Sequence, residues 1–199
     1  MSFHPFPASA CWQHREARAG FEVAYFQAQA ARQAQEPGWR IDGTTTAIED
    51  GQTWVVTYRI EADAAWATRR ARITATTVTG SRATELAADG AGHWLIDGKP
   101  APHLDGCLDV DLESSAMTNT LPVHRLDLAP GAQAGAPAAY IRAATLSADR
   151  LDQVYRRHPG GEDRLCFDYA APAFGFTARL VYDDAGLVVS YPGIAARAG

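Results

Sequence analysis

The residues best able to do chemistry gather in one stretch, Asp89 to Leu126, DGAGHWLIDGKPAPHLDGCLDVDLESSAMTNTLPVHRL. Asp105, Asp109 and Asp111, with Glu113 following, form a carboxylate set. Two carboxylates serve acid–base work, and three suit a hard cation such as calcium. The spaced glycine and closing glutamate of a calcium loop are missing, so Asp-x-Asp reads equally as a solvated strand face or as ion pairs to the arginine-rich run Arg69 to Arg72. Cys107 sits beside Gly106, with His103 and His124 nearby in sequence. A thiol nucleophile needs a histidine within hydrogen-bond reach and a lowered pKa, whereas a free cysteine is more often a small buried hydrophobe. There is no G-x-S-x-G elbow, P-loop, H-E-x-x-H or dinucleotide glycine pattern, and no CxxC or Cys/His zinc spacing.

These residues must be positioned by strands. Leu108, Val110 and Leu112 alternate with Asp109 and Asp111, which places the apolar side chains on one face of a strand and both carboxylates on the other. Similar alternation recurs along the chain. Gly20–Phe26 puts Phe21, Val23 and Tyr25 on one face. Thr53–Ile60 sets Trp54, Val56, Tyr58 and Ile60 against smaller partners across an Asp50-Gly51 hairpin signal. Trp66–Thr79 is β-branched and reads as strand, and Trp94 and Ile96 share a face. Phe174, Phe176, Ala178, Leu180 and Tyr182 alternate cleanly, and Leu187, Val189 and Tyr191 continue beyond the Asp183–Gly186 turn. Asp42-Gly43 reads as a turn. Gln27–Glu36 reads as a surface loop or frayed helix, ended by Pro37-Gly38. Leu128–Pro137 reads as a flexible surface loop, and Pro159-Gly160-Gly161 as a turn. About a dozen strands at 8 to 12-residue spacing, with no convincing long helix, predict an all-β sandwich, barrel or roll with antiparallel, meander-like pairing.

Composition sets the outer bounds. The 199 residues suit one domain, with 1–10 and 194–199 expected to be loose. A net charge of -5 argues against a nucleic-acid partner. Cys11, Cys107 and Cys166 are sparse and odd in number, which fits a reducing compartment. The N-terminus lacks a charged start followed by an apolar run, and no stretch approaches the roughly 20 apolar residues that span a bilayer. The expectation is a cytoplasmic protein without a transmembrane segment, metal or cofactor.

Three segments carry a family resemblance: GWRIDGTTTAIEDGQTWVVTYRIEADAAWATRR, then ELAADGAGHWLIDGKPAPHLDGCLDVDL with TNTLPVHRL, and last GFTARLVYDDAGLVVSYPG. With W-x-x-D-G, D-G-C-x-D-V-D-L and T-N-T-L-P in that order, the chain from about Trp12 to Gly193 resembles the bacterial family described as putative glycolipid-binding. The resemblance implies a curved antiparallel sheet rolled into an incomplete barrel, similar in shape to bacterial lipoprotein carriers. It implies a non-enzymatic binding protein for a glycolipid or fatty-acyl ligand. The acyl part is expected on a concave apolar face with Trp54, Tyr58, Trp94, Phe174 and Phe176. The head group is expected at the rim, near Arg69, Asp109, Asp111, Asn119 and Arg125. Two other readings stand beside it: an enzyme using Asp105, Asp109, Asp111, Asn119 and Cys107, and a protein-interaction module with an exposed apolar patch.

Overall fold

The computed structural model describes residues 3–16, 18–30, 37–159 and 164–198. In chain order the strands are β1 (Ser9–His14), β2 (Ala19–Gln29), β3 (Gly38–Glu49), β4 (Gln52–Asp63), β5 (Thr68–Thr77), β6 (Gly80–Ala88), β7 (Trp94–Ile96) and β8 (Lys99–Pro100). After a 3₁₀ turn at Pro102–Leu104 come β9 (Asp109–Leu112), a second 3₁₀ turn at Met117–Asn119 and helix α1 (Thr120–Leu126). The chain then forms β10 (Gln133–Gly135), β11 (Ala138–Ile141), β12 (Ala148–Leu151), β13 (Val154–Arg157), β14 (Leu165–Ala171), β15 (Phe176–Tyr182), β16 (Val188–Tyr191) and β17 (Ala195–Arg197).

Fourteen strands make one sheet in the order β10-β13-β14-β15-β16-β17-β1-β2-β3-β4-β5-β6-β7-β8. Its ladders are antiparallel meander pairings, and Trp12 opposite Arg197 joins the first strand to the last. The sheet is curved but open, with β10 and β8 as its edges. The remaining strands form a small sheet, β12-β11-β9, in which β9 runs parallel to β11. The fold is thus all-β and barrel-like, with one short helix. At Asp50-Gly51 both residues take positive φ, 49° and 75°, the geometry a two-residue hairpin turn requires.

The concave face is not open. The segment from Pro102 to Leu126, with β11 and β12, packs against it as an insert. Leu104, Val110, Met117, Leu121 and Ile141 belong to one core with Trp12, Ile41, Ile60 and Ile73, all at most 1% exposed. Hydrogen bonds fasten insert to sheet: Thr68 N–H to the Leu108 carbonyl (2.8 Å), Val110 N–H to Thr68 Oγ1 (3.1 Å) and the Thr45 hydroxyl to the Ser114 carbonyl (2.9 Å). A sheet this long curls over its own apolar face, and burying the insert there removes from water what an empty roll would expose.

Several local expectations are revised. There are more strands than a dozen, because short runs such as Ala138–Ile141 and Ala148–Leu151 pair separately. The TNTLP motif closes the second 3₁₀ turn and opens α1 at Thr120; Pro122 is tolerated in the first turn, where its missing N–H has no partner to lose. Gln27–Gln29 continue β2 opposite Gly38–Arg40, while 31–36 lie outside the described residues, as do Gly160 and Gly161. Gly43 lies mid-strand in β3, not in a turn. A Cβ there would sit 2.1 Å from the Tyr58 ring, so glycine lets Tyr58 cross the neighbouring strand. Within Leu128–Pro137, Gln133–Gly135 pairs with β13. Within the two terminal spans, Ala195–Arg197 forms a strand, and Phe6 stacks on Phe26 with ring centroids 4.8 Å apart; residues 1, 2 and 199 lie outside the described residues. On β2 the face bearing Phe21 and Tyr25 is the outer one, leaving those rings 52% and 56% exposed, and Glu22, Ala24 and Phe26 point inward.

Candidate functional site

The strand expected to carry a solvated acidic face is internal. Asp109 is 1% exposed and Arg125, in the last turn of α1, grips it with two bonds, Nε to Oδ1 at 3.0 Å and Nη2 to Oδ2 at 2.6 Å. Burial still pushes the Asp109 carboxyl up from its ordinary value, with Arg125 opposing. The anticipated pairing with Arg69–Arg72 does not form: Arg69 faces Asp63 at 3.7 Å, and Arg70 and Arg72 face Glu85 on the convex side. The short insert strand turns its carboxylates toward α1, the second 3₁₀ turn and the β12–β13 connection instead.

Two residues on, Asp111 has a different environment. It accepts from the Thr118 hydroxyl at 2.9 Å and from Gln153 Nε2 at 2.5 Å, both neutral donors. Burial pushes its carboxyl up to about 6, and the charges of Asp109 and Glu113 add to the effect. Asp111 lines a cavity of about 190 Å³ between the insert and strands β14–β16. Tyr140, Tyr169, Phe174, Phe176 and Tyr191 supply five aromatic rings to its wall. Arg18, Glu113, Ser115 and Asn119 supply polar groups.

Each polar group has an identifiable anchor. Asn119 Oδ1 accepts from the Tyr155 hydroxyl at 2.8 Å, which fixes the amide within the second 3₁₀ turn. Glu113 accepts from the Ala143 N–H at 2.7 Å and pairs with Arg142 at 3.3 Å. The Arg142 guanidinium lies over the rings of Tyr140 and Phe174, at 5.2 and 5.6 Å from their centroids. Arg18 donates to the Glu113 carbonyl at 2.9 Å, pairs with Glu49 at 3.3 Å and lies over the Trp54 ring; its buried Nε has no partner among the described residues. Ser115 donates to Glu22, the inward carboxylate of β2. Glu22 also receives the Tyr58 hydroxyl at 2.6 Å and the N–H groups of Ala116 at 2.7 Å and Met117 at 3.3 Å. Burial nonetheless pushes the Glu22 carboxyl up, against these four donors.

Residues 9–197 match the family described as putative glycolipid-binding. The chain belongs to that family. A crystal structure of a DUF1089-family protein from Pseudomonas aeruginosa is 32% identical, covers 88% of this chain and 92% of its own, and superposes with a TM-score of 0.74. A beta-barrel-like protein of the DUF1849 domain from Brucella abortus, 12% identical over 98% and 96% of the two chains with a TM-score of 0.50, shares the fold. No curated relative matches the sequence.

In this member of the glycolipid-binding family, the predicted site residues fall into two groups. Asp111, Asn119, Phe174 and Phe176 come together at the cavity. Trp54, Tyr58 and Trp94 do not line an open concave face: they are at most 5% exposed, filled in by the insert, with Trp94 Nε1 donating to the Cys107 carbonyl at 2.9 Å. Arg69 and the Asp109–Arg125 pair also lie apart from the cavity lining. The alternative catalytic set does not converge. Cys107 is fully buried, and burial pushes its thiol up to about 11, away from thiolate chemistry. His103 and His124 bond the Ala148 and Ala185 carbonyls. Among the described residues no group of three His, Cys, Asp or Glu could hold a metal, and no helix is long and apolar enough to cross a membrane.

Sequence reasoning missed Arg18, Ser115, Glu22, Tyr140, Tyr169 and Tyr191. Glu22 had a signal, a lone carboxylate inside the β-prone GFEVAYF run. Tyr191 lay in a recognised alternating strand, but nothing said which face met a void. Arg18 had no signal in its neighbourhood.

Proposed function

We propose that this protein binds an amphipathic ligand of the glycolipid kind and holds the polar head in the cavity at Asp111. One observation carries the reading: the cavity combines five aromatic rings with two carboxylates, an amide and a guanidinium. Aromatic faces pack against the C–H faces of a sugar ring, and planar polar groups take its hydroxyls. The family description points the same way.

The volume sets how the ligand divides. About 190 Å³ accommodates one ring-sized head and not a long acyl chain as well. The chain therefore leaves past Phe174, which is 48% exposed at the rim. Each methylene covered there contributes about 0.8 kcal/mol before the costs of association. Binding rather than turnover is favoured because Cys107 is inert and Asp109 is fully engaged by Arg125.

Native mass spectrometry with lipid extraction tests the reading. Titration with octyl glucoside of the native chain and of Phe176→Ala completes the test. Saturable binding weakened in the variant is expected. No bound species, together with no response of the cavity tyrosines to the glycoside, removes the proposal.

A further inference from the structure

The charge of the cavity lining narrows the chemistry of the head. Two carboxylates, Asp111 and Glu113, stand against one guanidinium, Arg18. Arg18 is already engaged by Glu49, and Glu113 by Arg142. Of the two, Asp111 has no cationic partner among the described residues: it accepts from the Thr118 hydroxyl and from Gln153, both neutral, and stands near the charges of Asp109 and Glu113. Its neighbour Asp109 shows what the fold does when it intends to neutralise a buried aspartate internally, which is to place an arginine fork on it.

The groups facing Asp111 come from every surrounding element. Asp109 and Glu113 share its strand, Thr118 rises from the second 3₁₀ turn and Gln153 from the β12–β13 connection. Tyr140 of β11, Tyr155 of β13, Tyr169 of β14, Tyr182 of β15 and Tyr191 of β16 complete the ring. The hydroxyl of each is pushed up first by burial and further by the charge of Asp111. A carboxylate surrounded by aromatic rings, with no internal counter-charge, attracts a cation through both Coulomb and ring-quadrupole terms. The rim already shows the second term at work, where Arg142 lies over Tyr140 and Phe174. An anionic head such as a phosphate would instead be placed beside two carboxylates.

Resting on the pocket reading above, we propose that the head group is positively charged, the protonated amine of an amino sugar, seated against Asp111 among Tyr169, Phe176 and Tyr191. The about 190 Å³ available holds a single sugar ring, the space of about six waters. Binding expels protons from the partly protonated Asp111, because a cation favours the ionised form. Affinity for the amine therefore rises as the pH climbs through about 6 and falls again where the amine loses its own proton.

The test compares octyl glucoside with its 2-amino-2-deoxy analogue, titrated calorimetrically onto the full chain. At pH 7 the amine is expected to bind about tenfold more tightly or better. That preference shrinks below pH 5, a measurement that needs no variant. Asp111→Asn is expected to bring the ratio of the two affinities to about one, whatever it does to the affinity for either glycoside. Equal affinity for the two glycosides at pH 7, or a preference that stays flat from pH 5 to 7, overturns the amine proposal while the pocket reading stands. Binding of neither glycoside overturns both.

Discussion

The two wings of the sheet face the same insert and meet it differently. On the wing from β2 to β5 the strands are 10 to 12 residues long, and their inner side chains close fully on the insert. Trp54, Tyr58, Ile60 and Ile73 are at most 5% exposed. On the wing from β14 to β16 the strands are 4 to 7 residues long, the register shifts between Val181 and Tyr182, and a 3₁₀ turn at Pro172–Phe174 interrupts the meander. There the tyrosine and phenylalanine rings stand off from β9 and leave the cavity. The long wing has a register shift of its own, between Glu61 and Ala62, but its longer ladders carry enough inner side chains to pack to native density, whereas the short ones leave space that large rings border without filling. The same division runs through β9: Asp109 is sealed against Arg125, and Asp111 opens on the cavity.

That contrast can be broken at its strongest point first. Arg125→Ala leaves Asp109 buried and unpaired, and urea unfolding should show a loss of about 3–5 kcal/mol. A loss under 1 kcal/mol would mean that the pair is not the internal lock described here. Next, Gly43→Ala pushes a Cβ into the Tyr58 ring and takes a donor from Glu22, at a cost of about 1–3 kcal/mol for each effect. Thermal unfolding checks it, and a near-neutral result would remove the Glu22–Tyr58 bond from the account of the sealed wing.

Asp111→Asn should act in the opposite sense. The folded-state pKa of Asp111 is raised, so between about 4 and 6 the native state holds more protons than the unfolded chain. Stability then falls as the pH rises through that window, and the asparagine variant escapes the fall. It should match the native chain near pH 4 and exceed it at pH 7 by on the order of 1 kcal/mol. A variant less stable at both pH values would place Asp111 in the structural class of Asp109. The smallest effect is expected at the rim: Phe174→Ala should change stability by about 0.5 kcal/mol or less, yet weaken octyl glucoside binding measurably.

Alternation made most strands legible, because period-two patterning follows directly from the pleat and needs no knowledge of partners. The Phe176–Tyr182 and Gln52–Asp63 strands were readable for that reason. The inward face of β2 was less so: its outer side carries Phe21 and Tyr25, and its inner side carries a carboxylate satisfied by Tyr58, Ser115, Ala116 and Met117, all distant in sequence. The cavity was half legible. Asp111, Asn119, Phe174 and Phe176 stood out by type, while Arg18 and Tyr191 approach from the two chain ends.

The sequence by itself determined an all-β meander, its hairpin turns and the motif that identifies the family, since each is written in residues close together along the chain. The tertiary structure alone decided that the roll is filled by its own insert, that Asp109 is locked by Arg125 and that Asp111 is left without a counter-charge. Those outcomes depend on which surfaces meet when residues 16 to 93 positions apart are packed together, and burial, not residue type, sets whether a carboxylate there is a solvated surface charge, half of an ion pair or a binding group.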